Sequence, residues 1–264
     1  MLVNDKEQLL EKINECRFDE GITTEDTMLI RGYISFYKKT QDITILEKIK
    51  SYMTERMTSD PLELVKLGYV LSFLLEETNE DTYKEAIQHL IDQVLKENRE
   101  DGILKHKDGS VYSVQEAYDL FPVYAWYETN YNKKEHYIDI MNQLRYLNTQ
   151  ILVQNQANPS DRHIFMMTLA DTITNMSEEI FEYYAQLQGW LKEAVHKEIQ
   201  NDSKESVQMA YIIRKGCESK ALLPEKYNEI GKRMLLKAAE QLLTQDDLPK
   251  NELGILLMTY ALTV

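Results

Sequence analysis

The stretch LVKLGYVLSFLLEETNEDTYKEAIQHLIDQVLKEN (64–98) sets two helices of opposite character side by side. Its first part, Leu64–Leu75, carries a single charge, Lys66. A helix apolar nearly all round must be surrounded by protein. Its second part, Glu80–Asn98, places Tyr83, Ala86, Ile87, Leu90, Ile91, Val94 and Leu95 at i, i+3, i+4, i+7 spacing. The opposite face holds Glu80, Asp81, Lys84, Glu85, Asp92, Lys96 and Glu97, so this helix has one dry stripe and one wet one.

The same alternation extends in both directions along the chain. Amphipathic helices are predicted over about 43–56, 134–152, 177–198 and 225–244. Between them lie drier ones. Ile164–Ile173 has one charge, Asp171, and Leu253–Val264 has none, while 26–38, 115–130 and 205–219 are intermediate. With 5–16 counted first there are twelve helices, and the drier type fills every even place.

Internal repeats support this count. Four even helices end in Thr and an amide: Thr40-Gln41, Thr78-Asn79, Thr129-Asn130 and Thr174-Asn175, at spacings of 38, 51 and 45. Asn suits a helix exit because it tolerates the left-handed conformation there. A small residue precedes Tyr within even helices: Gly32-Tyr33, Gly68-Tyr69, Ala117-Tyr118 and Ala210-Tyr211. Odd helices begin near Tyr83, Tyr137 and Tyr227.

Six hairpins with dry and wet members alternating can stack as an open solenoid or close as a toroid. The last helix is the driest, whereas a solenoid needs a polar terminal cap. Strict alternation also suits an inner ring clad by an outer one. The fold expected is therefore all-α, an (α/α)6 toroid of twelve helices, with residues 1–264 as one domain.

Composition agrees. Nine Gly and five Pro among 264 residues are well under half the roughly 12% of average usage, which argues against an all-β or disordered chain. Thirty Lys and Arg against 44 Asp and Glu leave a net charge of −14, which disfavours nucleic acid and anionic membrane surfaces as partners. No apolar run approaches the ~20 residues a bilayer needs, and MLVNDKEQLLEK lacks the pattern of a secretory signal. Cys16 and Cys217 read as isolated reduced thiols, so a cytoplasmic location is expected.

In such a toroid all inner helices point one way, so their N-termini gather at one mouth. Links entering inner helices include the longest ones, Arg17–Glu25, Arg99–Ser113, Val153–Ser160 and Asn201–Lys204. Long polar loops over a rigid scaffold are where sites usually sit, and helix N-termini favour anions. A small anionic ligand is expected at this mouth. The loop REDGILKHKDGSVYSVQEAY brings His106, Tyr112, Gln115, Glu116 and Asp119, with Lys105 and Lys107 read as solvated charges. NQANPSDRHIF brings Asp161, Arg162 and His163, and Asp60 precedes Pro61 as an ordinary helix start. Trp190, His89, His136 and His196 suit outer-helix packing. Pro122 removes a backbone donor inside an inner helix. There is no His/Glu pattern with metal-ligand spacing, no Gly-rich phosphate loop and no Gly-x-Ser-x-Gly elbow, so neither metal nor cofactor is expected. Carboxylate acid/base chemistry remains, with Glu116 best placed.

Two segments resemble the unsaturated-uronyl hydrolases, glycoside hydrolase families 88 and 105. SVQMAYIIRKGCESKALLPEKYNEIGKRML (206–235) looks like their penultimate hairpin, and AYDLFPVYAWYETNYNKKEHYIDIMNQLRYL (117–147) is similar to their central one, with Pro inside the inner helix. DRHIFMMTLADTI (161–173) adds to the likeness. The resemblance implies an (α/α)6 barrel that removes a 4,5-unsaturated uronic acid from small acidic oligosaccharides. In that family an aspartate protonates the C4=C5 bond and activates water for attack at C5, unlike the two-carboxylate displacement of ordinary glycosidases. Counted back from Pro122, its position falls on Glu116 or Gln115, and Asp119 stands one turn further in. The catalytic candidates are thus Glu116 and Asp119. Asp60, His106, Tyr112, Gln115, Arg162 and His163 are the candidates for binding substrate. The family's Arg-Gly-Asn-Gly-Trp stretch is replaced by SDRHI (160–164), the loop before it shrinks to NQANP (155–159), and the chain is shorter than is usual there. The alternative is a catalytically inactive toroid that binds carbohydrate or a protein partner, and an open solenoid that binds peptides is the third reading. The oligomeric state stays open.

Overall fold

The computed structural model describes residues 2–57, 60–154, 157–200, 206–245 and 247–263. The expected loop Asn201–Lys204 and two residues of another, Asn155 and Gln156, lie outside these, as does Val264.

Among the described residues the chain forms twelve α-helices. The inner set is α2 (Thr24–Thr40), α4 (Pro61–Thr78), α6 (Val114–Asn130), α8 (Pro159–Asn175), α10 (Val207–Glu218) and α12 (Lys250–Ala261). The outer set is α1 (Leu2–Glu15), α3 (Ile43–Arg56), α5 (Asp81–Lys96), α7 (Tyr137–Asn148), α9 (Phe181–Gln200) and α11 (Pro224–Leu242). A π-helical turn, Thr149–Val153, extends α7. Among the described residues the strands are confined to a small antiparallel hairpin, β1 (Asn98–Glu100) with β2 (Ile103–Lys105), inside the expected loop. Its turn is Asp101-Gly102, both at positive φ (52° and 80°), which is what a two-residue hairpin turn demands.

Each even helix packs on the next, and α12 packs extensively on α2. That last contact closes the ring and decides for the toroid over the solenoid. It depends on two glycines. A Cβ on Gly32 would sit 2.6 Å from the carbonyl oxygen of Gly254, and one on Gly254 would sit 2.3 Å from that of Met28. At the N-terminal end of the seam, Lys250 donates to buried Asp26 and to Asp19, both at 2.9 Å. Outside it, α1 bridges its neighbours. Lys48 of α3 reaches Asn14 Oδ1 at 3.0 Å, and Lys12 reaches the Gln245 carbonyl beyond α11 at 3.2 Å.

The repeated helix endings have a common cause. Thr40, Thr78, Thr129 and Thr174 each donate their hydroxyl to the carbonyl four residues back, at 2.7–3.0 Å. Each hydroxyl is thus satisfied within its own helix, by the back-bond to a carbonyl one turn earlier that threonine can make. The amide that follows behaves in two ways. Gln41 and Asn79 turn left-handed at φ 55°, as expected. Asn130 and Asn175 instead stay helical and bond the carbonyls of Trp126 and Asp171. The entry to α7 is later than the expected 134 because buried Glu128 binds the backbone and ring of His136 and the side chain of Asn132, holding 131–136 as a turn.

Candidate active site

At the N-terminal mouth a cavity of about 330 Å³ opens between α2, α4, α6 and the loop behind β2. Its walls come from Thr24, from Glu63, Val65 and Lys66, and from His106, Tyr112, Ser113, Gln115, Glu116 and Asp119. Three helix starts therefore converge on it, and their partial positive ends and Lys66 share the wall with the carboxylates of Glu63, Glu116 and Asp119.

The loop that forms one wall is firmly anchored. Arg99 in β1 meets Asp139 of α7 through two hydrogen bonds, at 3.1 and 2.7 Å. Gln143 accepts from the Leu104 N–H at 2.9 Å and donates to the Gly102 carbonyl at 2.8 Å. Beyond this anchor, His106 and Tyr112 stack at 4.4 Å with their rings nearly parallel. His106 Nε2 lies 3.2 Å from a Glu116 carboxylate oxygen.

The two catalytic candidates differ sharply. Glu116 closes a capping box: its carboxylate accepts from the Ser113 N–H at 2.7 Å, and its own N–H donates to Ser113 Oγ at 3.2 Å. Burial pushes its carboxyl up, but the Ser113 hydrogen bonds and His106 outweigh that, leaving it below the usual range. Glu116 is a poor proton donor as it stands. Asp119, one turn deeper, is 3% exposed. Burial lifts its carboxyl to about 6 against the pull of Arg31. Such a value suits a proton donor near neutral pH.

Arg31 is held from several sides. It is wholly buried, with its guanidinium over the rings of Tyr118 (4.2 Å) and Tyr69 (4.7 Å). Its Nη2 donates to Asp119 Oδ1 and to the Tyr118 carbonyl, both at 3.2 Å. That carbonyl is the one Pro122 would have used had it an N–H, so the proline supplies the acceptor that steadies Arg31. Gln115 reaches the other Asp119 oxygen at 3.4 Å.

Of the residues expected at the mouth, the structure brings together His106, Tyr112, Gln115, Glu116 and Asp119. It sets the others apart. Asp60 precedes α4, accepting the Leu64 N–H at 2.9 Å, and is not in the cavity wall. Arg162 turns outward to Glu198 of α9 at 2.9 Å and to the Ala157 carbonyl, lining a different groove beside Trp190. His163 is buried with Nε2 3.8 Å from Glu198, and burial pushes its pKa down. Lys66 and Glu63 were not foreseen, although Lys66 was visible as the lone charge of its helix.

The family model described as Glycosyl Hydrolase Family 88 matches residues 7–159. The chain belongs to glycosyl hydrolase family 88. The matched segment contains every residue of the cavity wall just described. It includes the stretch 117–147 and ends before 161–173 and 206–235, the other stretches that carry the resemblance. Family membership makes the protein a glycoside hydrolase-like enzyme. A solved structure of a family 105 glycoside hydrolase from C. acetobutylicum ATCC 824 shares the fold, with a TM-score of 0.80 at 15% identity over 99% of this chain and 98% of that one. The two are thus nearly equal in length, so the shortness expected of this chain is no difference from that relative. Comparison with curated protein sequences gave no match.

Proposed function

We propose that this family 88 protein hydrates the C4=C5 bond of small unsaturated uronyl oligosaccharides in the cytoplasm, with Asp119 as its acid and base. The single observation that carries this reading is the contrast between the two carboxylates. Asp119 is buried at the cavity wall with its carboxyl lifted to about 6, while Glu116 is committed to its helix cap.

In this scheme the uronate carboxylate faces Lys66 and the starts of α2, α4 and α6, and its sugar ring lies against the His106–Tyr112 stack. Asp119 gives its proton to C4. The carboxylate it becomes takes a proton from water as that oxygen bonds to C5, restoring the acid. The hemiketal so formed opens and releases the neighbouring sugar. Arg31 positions the Asp119 carboxylate and does not touch substrate.

Asp119→Asn should abolish loss of the conjugated ultraviolet absorbance, lowering turnover by a factor of about 10²–10⁴. The variant leaves the buried Arg31 charge unpaired, at a cost of about 3–5 kcal/mol, so a second measurement on the unaltered protein is needed. There kcat/KM should fall as pH rises through about 6, the value for Asp119. Stability supplies a third sign. Asp119 titrates from an ordinary 3.8 in the unfolded chain to about 6 when folded, so the folded state holds the extra proton between these values. Stability therefore declines across that window as pH rises, and the decline disappears in Asp119→Asn. Full turnover in Asp119→Asn, or a rate indifferent to pH between 5 and 8, would end the proposal.

The competing reading, a toroid without catalysis, is favoured by the Asp119–Arg31 ion pair, since a counterion needs no further task. A panel of unsaturated disaccharides bound but never turned over would decide for it.

A further inference from the structure

The opposite end of the barrel holds a second cavity, of about 310 Å³. It lies on the axis, because all six inner helices contribute to it from their C-terminal halves: Lys38, Glu76, Trp126, Asp171, Lys215 and Met258 are one residue from each. Its volume is near the lower bound of ~300–1,000 Å³ usual for small-molecule pockets, enough for a single ring.

The chemistry of the lining selects among ligands. Three cations and three carboxylates face the space, and the charges are matched locally. Lys38 pairs with Glu76 at 3.2 Å, Lys215 pairs with Glu218 at 2.5 Å, and Asp171 lies in the field of Lys215. Six helix C-termini add partial negative charge at this mouth, which disfavours an anion. The three lysines disfavour a bare cation. What remains is a neutral molecule able to donate to carboxylates and accept from ammonium groups.

The carboxylates are also oriented. Trp126 Nε1 holds one Glu76 oxygen at 2.7 Å, and Tyr211 holds Asp171 Oδ1 at 2.5 Å deep in the pocket, where Asp171 is 4% exposed. Lys38 meets the other Glu76 oxygen at 3.2 Å and Tyr118 also bonds Asp171, so each carboxylate is fixed in direction and accepts further only through its remaining lone pairs. Between them stand the aromatic walls of Tyr69, Phe73, Trp126 and Tyr211. Flat apolar faces beside aimed acceptors match a ring with hydroxyls around its edge and C–H bonds on its faces.

We infer that this C-terminal mouth is a binding site for a neutral pyranose, separate from the N-terminal cavity and independent of the activity proposed there. The test uses the full chain carrying Trp190→Phe, which leaves Trp126 as its one tryptophan. It is titrated with the methyl glycosides of glucose, galactose, mannose and rhamnose, and with glucuronate and galacturonate. Calorimetry runs in parallel with fluorescence. At least one neutral glycoside should give a saturable change, and the uronates should bind at least about tenfold more weakly. Ala261→Phe and Thr174→Phe, which fill the mouth from two helices, should remove the binding while leaving the melting temperature near that of the parent. Absence of saturation with every neutral glycoside, a uronate bound more tightly than all of them as read by Trp126 fluorescence, or undiminished binding in both mouth-filling variants would overturn the assignment.

Discussion

The two mouths of the barrel are built from the same helices and yet differ in kind. The N-terminal one is made by three helix starts and a loop, sits to one side of the axis, and holds a buried acid beside a cap-bound one. The C-terminal one is made by all six inner helices with no long loop, and its charges are matched. Helix direction alone gives the first a positive bias and the second a negative bias. One scaffold therefore offers two openings whose helix ends are biased in opposite senses. The chemistry proposed above uses the first, where the Asp119 carboxyl group is paired with Arg31.

The variant with the largest expected effect removes both mouths together. Gly254→Val would drive a branched side chain into the backbone of α2, already 2.3 Å from the built Cβ position. Nothing flexible stands there to move aside. A loss of more than about 4 kcal/mol is expected, read by chemical denaturation as unfolding at far lower denaturant. A stable Gly254→Val protein would show that the seam is not as tight as drawn.

A smaller change should separate the mouths. Arg99→Ala releases the hairpin from Asp139 and so loosens the wall carrying His106 and Tyr112. Stability should fall by about 1–3 kcal/mol, the usual range for a charged hydrogen-bonded group. KM should rise more than kcat falls, and the C-terminal mouth should be unaffected. Steady-state kinetics on an unsaturated disaccharide, beside a glycoside titration, gives both readings.

The smallest effect sharpens the comparison within the N-terminal mouth. Glu116→Gln keeps the capping box, since Gln also serves at that position. Turnover should stay within a few-fold and stability within about 1 kcal/mol. A Glu116→Gln protein without activity would transfer the acid's role from Asp119 to Glu116.

Much of this was legible in the sequence, for reasons particular residues show. The dry helix at 64–75 and the striped one at 80–98 report burial directly, so the two rings and their alternation could be read from periodicity. The Thr endings could be read as repeats, although their hydroxyl-to-carbonyl bond is a three-dimensional fact. Ser113-x-x-Glu116 is a capping box on the page, and it explains why the best-placed acid is the less suitable one. The partnership of Arg31 with Asp119 was hidden, because 88 residues separate them and only ring closure makes them neighbours. Arg162 and His163 lie at the right height but on a helix face that turns to Glu198, and no pattern on α8 alone reveals that rotation. The C-terminal mouth was passed over because its links are short, and loop length carries no information about a pocket that helices line by themselves.

The glycine contact between α2 and α12 joins residues 32 and 254, which are more than two hundred positions apart. Contacts so distant along the chain must first meet the entropy of closing a long loop, which slows their formation. Until the last hairpin docks, the faces of α2 and α10 that α12 covers stand open. A chain caught at that stage is a ready partner for another in the same condition, with one molecule's final hairpin completing its neighbour's ring.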